Sequence, residues 1–399
     1  YRWRRGRVNA LVAQVVTRTA RGASWQSRLG YWMMHPLTGV PLLLATLFVM
    51  YKVLGEMVAG NVVGFTEAAI GQGLWEPFIR GLVTRLFSEG SVVESILTGQ
   101  YGLLTMTITY LFGVILPLVI GFYLLLAVLE DSGYLPRIAV MLDNLLQRVG
   151  LNGRAVIPMI LGLGCVTMAT ISTRVLNTKR ERMIATFLLA LAIPCSAQLG
   201  VILGILAAIG AGWYALAFVA TIVAVFAVAG TLLARLIPGQ STDLLLDIPP
   251  VRVPRLDNVL RKTFNKATMF IREVALFFAI GALLLSVLQI TGALQAVQDI
   301  LAPLTERWLA LPKETATAFV MGFVRRDFGA AGLYEMSLTP LQALSSLVVI
   351  TLFVPCIASV LVILKERGYK YLIAAWVTSI ASAFLVGGIV AQIGLAVMG

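Results

Sequence analysis

The chain has 399 residues, of which 59% are hydrophobic and only 13% charged, with a formal net charge of +12. A soluble globular chain carries about 25% charged residues, so this composition excludes a soluble enzyme and describes a polytopic all-α membrane protein. In that class an excess of Lys and Arg marks cytoplasmic loops, not a nucleic-acid surface, and three cysteines do not make a disulfide framework.

Residues 1–30 carry Arg2, Arg4, Arg5, Arg7, Arg18, Arg21 and Arg28 and no acid. With the residues up to 36 they read as a basic, amphipathic segment on the cytoplasmic face. The chain opens YRWRRGR, without Met and without the apolar core of a signal peptide, as the interior of a longer polypeptide would. No phosphate-binding GxxxxGK[ST] pattern occurs, which places any nucleotide chemistry outside these residues. His35, the single histidine, precedes the first span and reads as an interfacial side chain before a metal ligand.

Residues 37–129 form the next segment. Leu37 to Val58 predicts a crossing. Glu67, Glu76, Glu89 and Glu94 then outweigh Arg80 and Arg85 over 59–100, as expected on the outer side. Gly102 to Leu129 predicts a second crossing, kinked at Pro117. After Glu130-Asp131-Ser132-Gly133, Pro136 opens an interfacial helix. It carries Ile138, Leu142, Leu145, Leu146 and Val149 on one face, with Arg137, Asn144 and Arg148 largely elsewhere.

The run Ile157 to Thr173, IPMILGLGCVTMATIST, is the first anomaly. It is apolar enough for lipid, yet Pro158, Gly162 and Gly164 weaken a helix in its middle. A break at that depth is tolerated where freed backbone groups face protein or a wet cavity, and such breaks line transport sites. Arg148 and Arg154 precede the run and Arg174, Lys179, Arg180 and Arg182 follow it. With both flanks basic, the run is expected to enter and return. Crossings follow at about Met183 to Ala208, which contains Pro194-Cys195-Ser196-Ala197, and at Trp213 to Leu236. Residues 130–237 thus make a first gate region.

Residues 238–272 hold Pro249, Pro250, Pro254 and six basic residues and read as a cytoplasmic loop. Residues 273–399 make a second gate region, entered by a crossing at about Val274 to Ile290. Within it, Arg325, Arg326 and Asp327 interrupt the apolar, Gly322-containing run Thr315 to Leu333. Charges at membrane depth are costly, so Arg326 and Asp327 are expected to pair or to line a wet cavity. The alternative is a pair closing a helix end at the interface. The last crossings, about Leu341 to Leu364 and Tyr371 to Met398, flank a turn with Lys365, Arg367 and Lys370; the first contains Pro355-Cys356-Ile357-Ala358.

Of the 31 basic residues, 24 fall in the five stretches assigned to the inside. By that tally one broken run starts inside and the other outside. Cys195 lies 31 residues after Gly164, and Cys356 lies 34 after Gly322. About eight crossings with two broken gates related as an inverted repeat follow, with a binding site at the repeat interface. All three cysteines stand beside Pro or Gly breaks. Carbonyls freed by a break and a soft thiol together suit a borderline transition ion, whereas Na⁺, K⁺ and Mg²⁺ prefer oxygen. Thr167, Met168, Ser196 and Ser359 are near enough in sequence to contribute, around a gate backbone of Gly162, Gly164, Pro194, Pro355 and Gly322.

LEDSGYLPRIAVMLD (129–143), NGRAVIPMILGLGC (152–165), TKRERMIATFLLALAIPCSAQL (178–199) and FVPCIAS (353–359) resemble the membrane region of the ferrous-iron transport protein B family, FeoB. In that family two gate regions carry Gly-x-Gly-Cys with Pro-Cys-Ser-Ala, and Pro-Cys-x-Ala; Cys165, Cys195 and Cys356 fall on those positions. The resemblance implies Fe²⁺ as the transported ion, no permanently bound cofactor, and a multi-pass protein of a bacterial or archaeal cytoplasmic membrane. It also implies an amino-terminal GTP-binding domain of the same polypeptide, with its GTP and Mg²⁺, absent from these residues. Small cytosolic accessory proteins and homo-oligomers are implied partners beside the lipid bilayer. The sequence departs from the family at Val166-Thr167-Met168, where many relatives have Asn-Val-Pro. Thr167 and Met168 could replace a ligand there, or backbone alone could form the site. Other readings are a transporter of another divalent metal or of a nucleoside-like solute, a membrane thiol oxidoreductase, and a bare anchor. A nucleoside site wants more Asn, Gln and Glu than the spans supply, an oxidoreductase wants paired thiols, and an anchor needs no broken helices.

Overall fold

The computed structural model describes residues 25–87, 91–99, 102–210, 212–239, 251–292, 296, 299, 303, 305–312, 314–324, 326–334, 336–353 and 356–398. These residues are helical with no strand among them, as a chain in lipid requires if each backbone group is to be satisfied within its own segment. Helices α1 (Trp25–Met34) and α2 (Pro36–Tyr51) are separated by His35, which stands at the helix boundary beside Tyr31. The chain then continues in π-type winding over Lys52–Val63 and Glu67–Trp75 into α3 (Glu76–Leu86). The stretch from 59 that the charges suggest is external is therefore largely helical. After α4 (Val92–Thr98), π-type winding over Thr109–Ile115 gives way to α5 (Leu116–Asp131) at Pro117.

Gly133, at a φ of 74° that favours glycine, turns the chain into α6 (Tyr134–Arg148). Ile138, Leu146 and Val149 are buried as the pattern requires, but Leu145 is exposed and Arg137 is buried. Arg137 is accommodated because its guanidinium turns back to donate to the Gly133 carbonyl.

Five helical runs among the described residues are long and apolar enough to cross a membrane: Pro36–Leu54, Leu111–Asp131, Gly212–Leu236, Pro340–Arg367 and Tyr369–Ala396. The expected crossing Met183 to Ala208 is two helices, α9 (Lys179–Ala192) and α10 (Ser196–Ile209), divided at Ile193-Pro194-Cys195. Before them come α7 (Val156–Gly164) and α8 (Val166–Ser172), and after them α11 (Gly212–Leu236). The start of α9 is fixed by a capping box, in which Thr178 and Glu181 each hold the other's backbone N–H.

The polar stretch read as a loop is helical from Leu256, because α12 runs from Leu256 to Ile290. Tertiary contacts hold its polar first half. Lys262 reaches Asp131 at 2.6 Å and Glu130 at 3.2 Å, Lys266 reaches Glu130 at 3.2 Å, and Asn258 reaches Asp131 at 2.7 Å. The Asp131 hydrogen bond keeps the Lys262 ammonium charged above the ordinary lysine range. The second half of the chain supplies α13 (Thr315–Val324), α14 (Arg326–Tyr334), α15 (Pro340–Phe353), α16 (Ile357–Arg367) and α17 (Tyr369–Met398).

One element order thus occurs twice. A broken pair (α7–α8, then α13–α14) is followed by a helix (α9, α15), a break, a half-helix (α10, α16) and a long span (α11, α17). The packing repeats as well, with α9 against α11 and α15 against α17. Across the repeats the pairing is exchanged, so that α8 packs on α16 and α10 packs on α14.

Candidate functional site

The three cysteines occupy equivalent backbone positions. Cys165 (φ −149°, ψ 116°) precedes α8, Cys195 (φ −77°, ψ 166°) precedes α10, and Cys356 (φ −58°, ψ 158°) precedes α16. Each is extended, and its carbonyl accepts the first helical hydrogen bond, from Ala169 at 3.0 Å, Leu199 at 2.8 Å and Val360 at 3.0 Å. Each is therefore the N-cap residue of a half-helix. That position selects Ser, Thr, Asp or Asn, whose oxygen satisfies an orphan N–H. The Cys195 and Cys356 thiols make no such bond, whereas the Cys165 sulfur lies near the backbone N–H groups of Thr167 and Met168. All three thiols are reduced and only partly buried.

Gly164 ends α7 where backbone must pass the Phe122 ring, and a Cβ there would overlap the ring carbons. Gly162 likewise faces Leu189, where an added Cβ would lie 2.6 Å from a methyl. Close approach, in addition to helix weakening, thus requires both glycines. Gly322 is buried against Ile350. Pro194 is buried at the break before α10. Pro355 lies outside the described residues, as do Arg325 and the side chain of Asp327.

Side chains occupy the carbonyls that the breaks release. Ser196 Oγ donates to Gly164 O at 3.1 Å. Arg326, 3% exposed, donates from Nη1 to Ile193 O at 3.0 Å and from Nη2 to Ala190 O, across the repeat boundary. It also lies within electrostatic reach of Cys356 and Cys195. A buried cation is tolerable where fixed acceptors take its protons, and the C-terminal end of α9 supplies them. Arg326 is thus held by backbone of the other repeat; a pairing with Asp327 falls outside the described side chains.

Gln198, fully buried, donates from Nε2 to Ile350 O at 3.3 Å, again across the repeats. Its Oε1 has no hydrogen-bond partner. An unfilled buried acceptor costs about 1–3 kcal/mol. Gln198 was not among the residues marked by the sequence reading. Its signal was present: it stands three residues after Cys195, as Ser359 stands three after Cys356.

Thr167 and Ser359 come together. Their hydroxyls are 3.0 Å apart, and Ser359 Oγ lies 3.3 Å from Cys356 Sγ. Met168 packs instead against the apolar cluster of the first repeat. Cys165 and Cys356 are within electrostatic reach of each other. No cluster of three His, Cys, Asp or Glu side chains placed to hold one ion occurs among the described residues. The sulfurs therefore do not form a closed three-ligand cage.

One family model, Gate: Nucleoside recognition, matches two separate stretches, 112–209 and 271–370, and so covers both broken regions. A second, Ferrous iron transport protein B C terminus, matches 214–266 between them. The chain is similar to the ferrous iron transport protein B family over nearly its whole length. Similar FeoB relatives include the Fe(2+) transporter FeoB of Staphylococcus aureus (strain MSSA476), 25% identical over 97% of this chain and 62% of that protein. The Fe(2+) transporter FeoB of Synechocystis is 30% identical over 63% of this chain and 40% of its own length. A Porphyromonas gingivalis protein named as an Fe(2+) transport protein A/Fe(2+) transporter FeoB fusion is 24% identical over 92% of this chain and 51% of its own length. The chain thus spans about three fifths of the first of these FeoB relatives. No solved structure matches it.

Proposed function

We propose that this chain is the membrane permease module of a ferrous-iron uptake system, with Fe²⁺ passing between the two repeats. The observation that carries the reading is the recurrence of a partly exposed cysteine at the N-cap of three half-helices, two of which gain no capping bond from it. Thr167 and Ser359 add oxygen beside Cys356, and sulfur with oxygen favours a borderline divalent ion over Mg²⁺. Ligands spread along a path, not gathered in a cage, also suit an ion that must leave. The relatives are named as Fe(2+) transporters, which agrees with this chemistry.

In the whole protein we assign gating to a GTP-binding domain and give the membrane part no enzymatic step. The membrane is the cytoplasmic one of a bacterium or archaeon. The fusion relative, whose name includes Fe(2+) transport protein A, makes a small accessory protein the first partner to test. The Gate description favours a nucleoside as the second reading.

The full-length protein in vesicles separates the two. Fe²⁺ uptake is expected to be indifferent to nucleosides and to fall about tenfold or more in the Cys165→Ser, Cys195→Ser, Cys356→Ser triple variant, which keeps shape but loses soft ligands. Fe²⁺ should also shield at least two of the thiols from a small alkylating reagent. Unchanged uptake by a normally expressed triple variant would make the cysteines packing residues.

A further inference from the structure

We infer that the side-chain carbonyl of Gln198 is a ligand of the cation path, the oxygen that accompanies Cys195 as Ser359 accompanies Cys356. The inference rests on the permease reading and deepens it by assigning a second mixed sulfur–oxygen station, one in each repeat.

The orientation of the amide is dictated by its neighbour. Ile350 O can only accept, so the Gln198 nitrogen must face it, at 3.3 Å. That turns Oε1 away from Ile350 and leaves it fully buried with no hydrogen-bond partner. The residue's register gives the direction. N-cap and N3 side chains of a helix lie on the same side, which is why a capping box can close. Gln198 is N3 after Cys195, and Ser359 is N3 after Cys356. In the second repeat that geometry puts Ser359 Oγ 3.3 Å from the sulfur and 3.0 Å from Thr167 of the first. Both N3 residues are fully buried.

The acceptors around Gln198 are already engaged. Gly164 O takes Ser196, Ala190 O and Ile193 O take Arg326, and Ile350 O takes Gln198 itself. The breaks were expected to present bare carbonyls to the ion. The structure instead gives Gly164 O to Ser196 of the same repeat and the α9 carbonyls to Arg326 of the other, and leaves one amide oxygen open. A neutral oxygen beside a thiol binds a divalent first-row ion weakly enough to release it. Capping Ile350 O alone requires a donor, not an amide.

The test uses the full-length protein in vesicles and measures Fe²⁺ uptake against Mn²⁺ as competitor, with membrane abundance checked by immunoblot. Gln198→Glu supplies a harder, charged oxygen and should let Mn²⁺ compete about tenfold better. Gln198→Met supplies a thioether and should weaken Mn²⁺ competition by about threefold or more. A residue that only caps Ile350 O would change uptake of both ions together, so an unaltered Mn²⁺-to-Fe²⁺ preference in both variants overturns the proposal. Gln198→Ser copies the Ser359 arrangement and decides the matter if the other two fail to accumulate. A shifted ion preference in it supports the ligand role and an unshifted one rejects it. Absence of Fe²⁺ uptake by the unmutated protein would reject the permease reading itself, and is read before any variant.

Discussion

Arg326 shows what one buried side chain can hold together. Hydrogen bonds to a charged donor contribute about 1.5–3 kcal/mol each, and Arg326 donates two to the end of α9 just before Cys195. Arg326→Gln is therefore expected to lower the midpoint of thermal unfolding in detergent. Arg326→Lys should recover only part of the loss, because one ammonium lacks the fork that reaches two carbonyls. An Arg326→Gln protein that melts with the unmutated one would show that these contacts carry no stability. The sequence singled out Arg326, since an arginine inside an apolar run demands a reason. It named Asp327 as a partner because adjacency is all a sequence offers, and it could not name the Ile193 carbonyl, which lies 133 residues away. Cysteines beside proline were legible for the same reason that made Gln198 easy to miss: thiols are rare in this chain, and a glutamine after Pro-Cys-Ser-Ala looks like ordinary helix.

At the scale of elements, α8 and α16 form a unit that starts at Cys165 and Cys356. Thr167 and Ser359 join them near their first turns, and Arg174 joins Glu366 near their ends through a two-pronged contact, with Nε 3.0 Å from Oε2. Arg367 adds bonds to Thr173 at 2.5 Å and to Thr186 at 3.3 Å. Arg174 is 54% exposed while Glu366 is only 8% exposed, so solvent screens the pair and its share of stability is about 1 kcal/mol or less. Arg174→Glu and Glu366→Arg should each slow uptake more than they destabilise, and the double exchange should restore part of the rate. Strictly additive rate losses would mean that the tie is incidental. The break at Cys165 was readable from Gly162 and Gly164. The break at Cys195 was readable as chemistry, yet the hydropathy of 183–208 still suggested one uninterrupted span. The polar composition of 256–272 suggested a loop because the acids that hold it, Glu130 and Asp131, lie on another helix.

Across the whole molecule, the charge tally makes 59–100 external and the 365–370 turn cytoplasmic. Single cysteines at the exposed positions Thr84 and Lys370, in a background with the three native cysteines replaced by alanine, should react with an impermeant maleimide from opposite faces. Labelling from the same face would overturn the orientation. The doubled element order was partly legible, because Pro-Cys-x-Ala recurs at similar spacing. The exchange of partners between repeats was not, since nothing local records that α8 belongs with α16 and α10 with α14. That exchange bears on synthesis. When the first half leaves the ribosome, the guanidinium that binds Ala190 and Ile193 and the hydroxyl that meets Thr167 are still untranslated. The nascent half must wait in the bilayer with its central breaks unsealed until its complement arrives. A chain stopped after α11 would remain immature, a client for membrane chaperones and proteases, and coexpression of the missing half should rescue it.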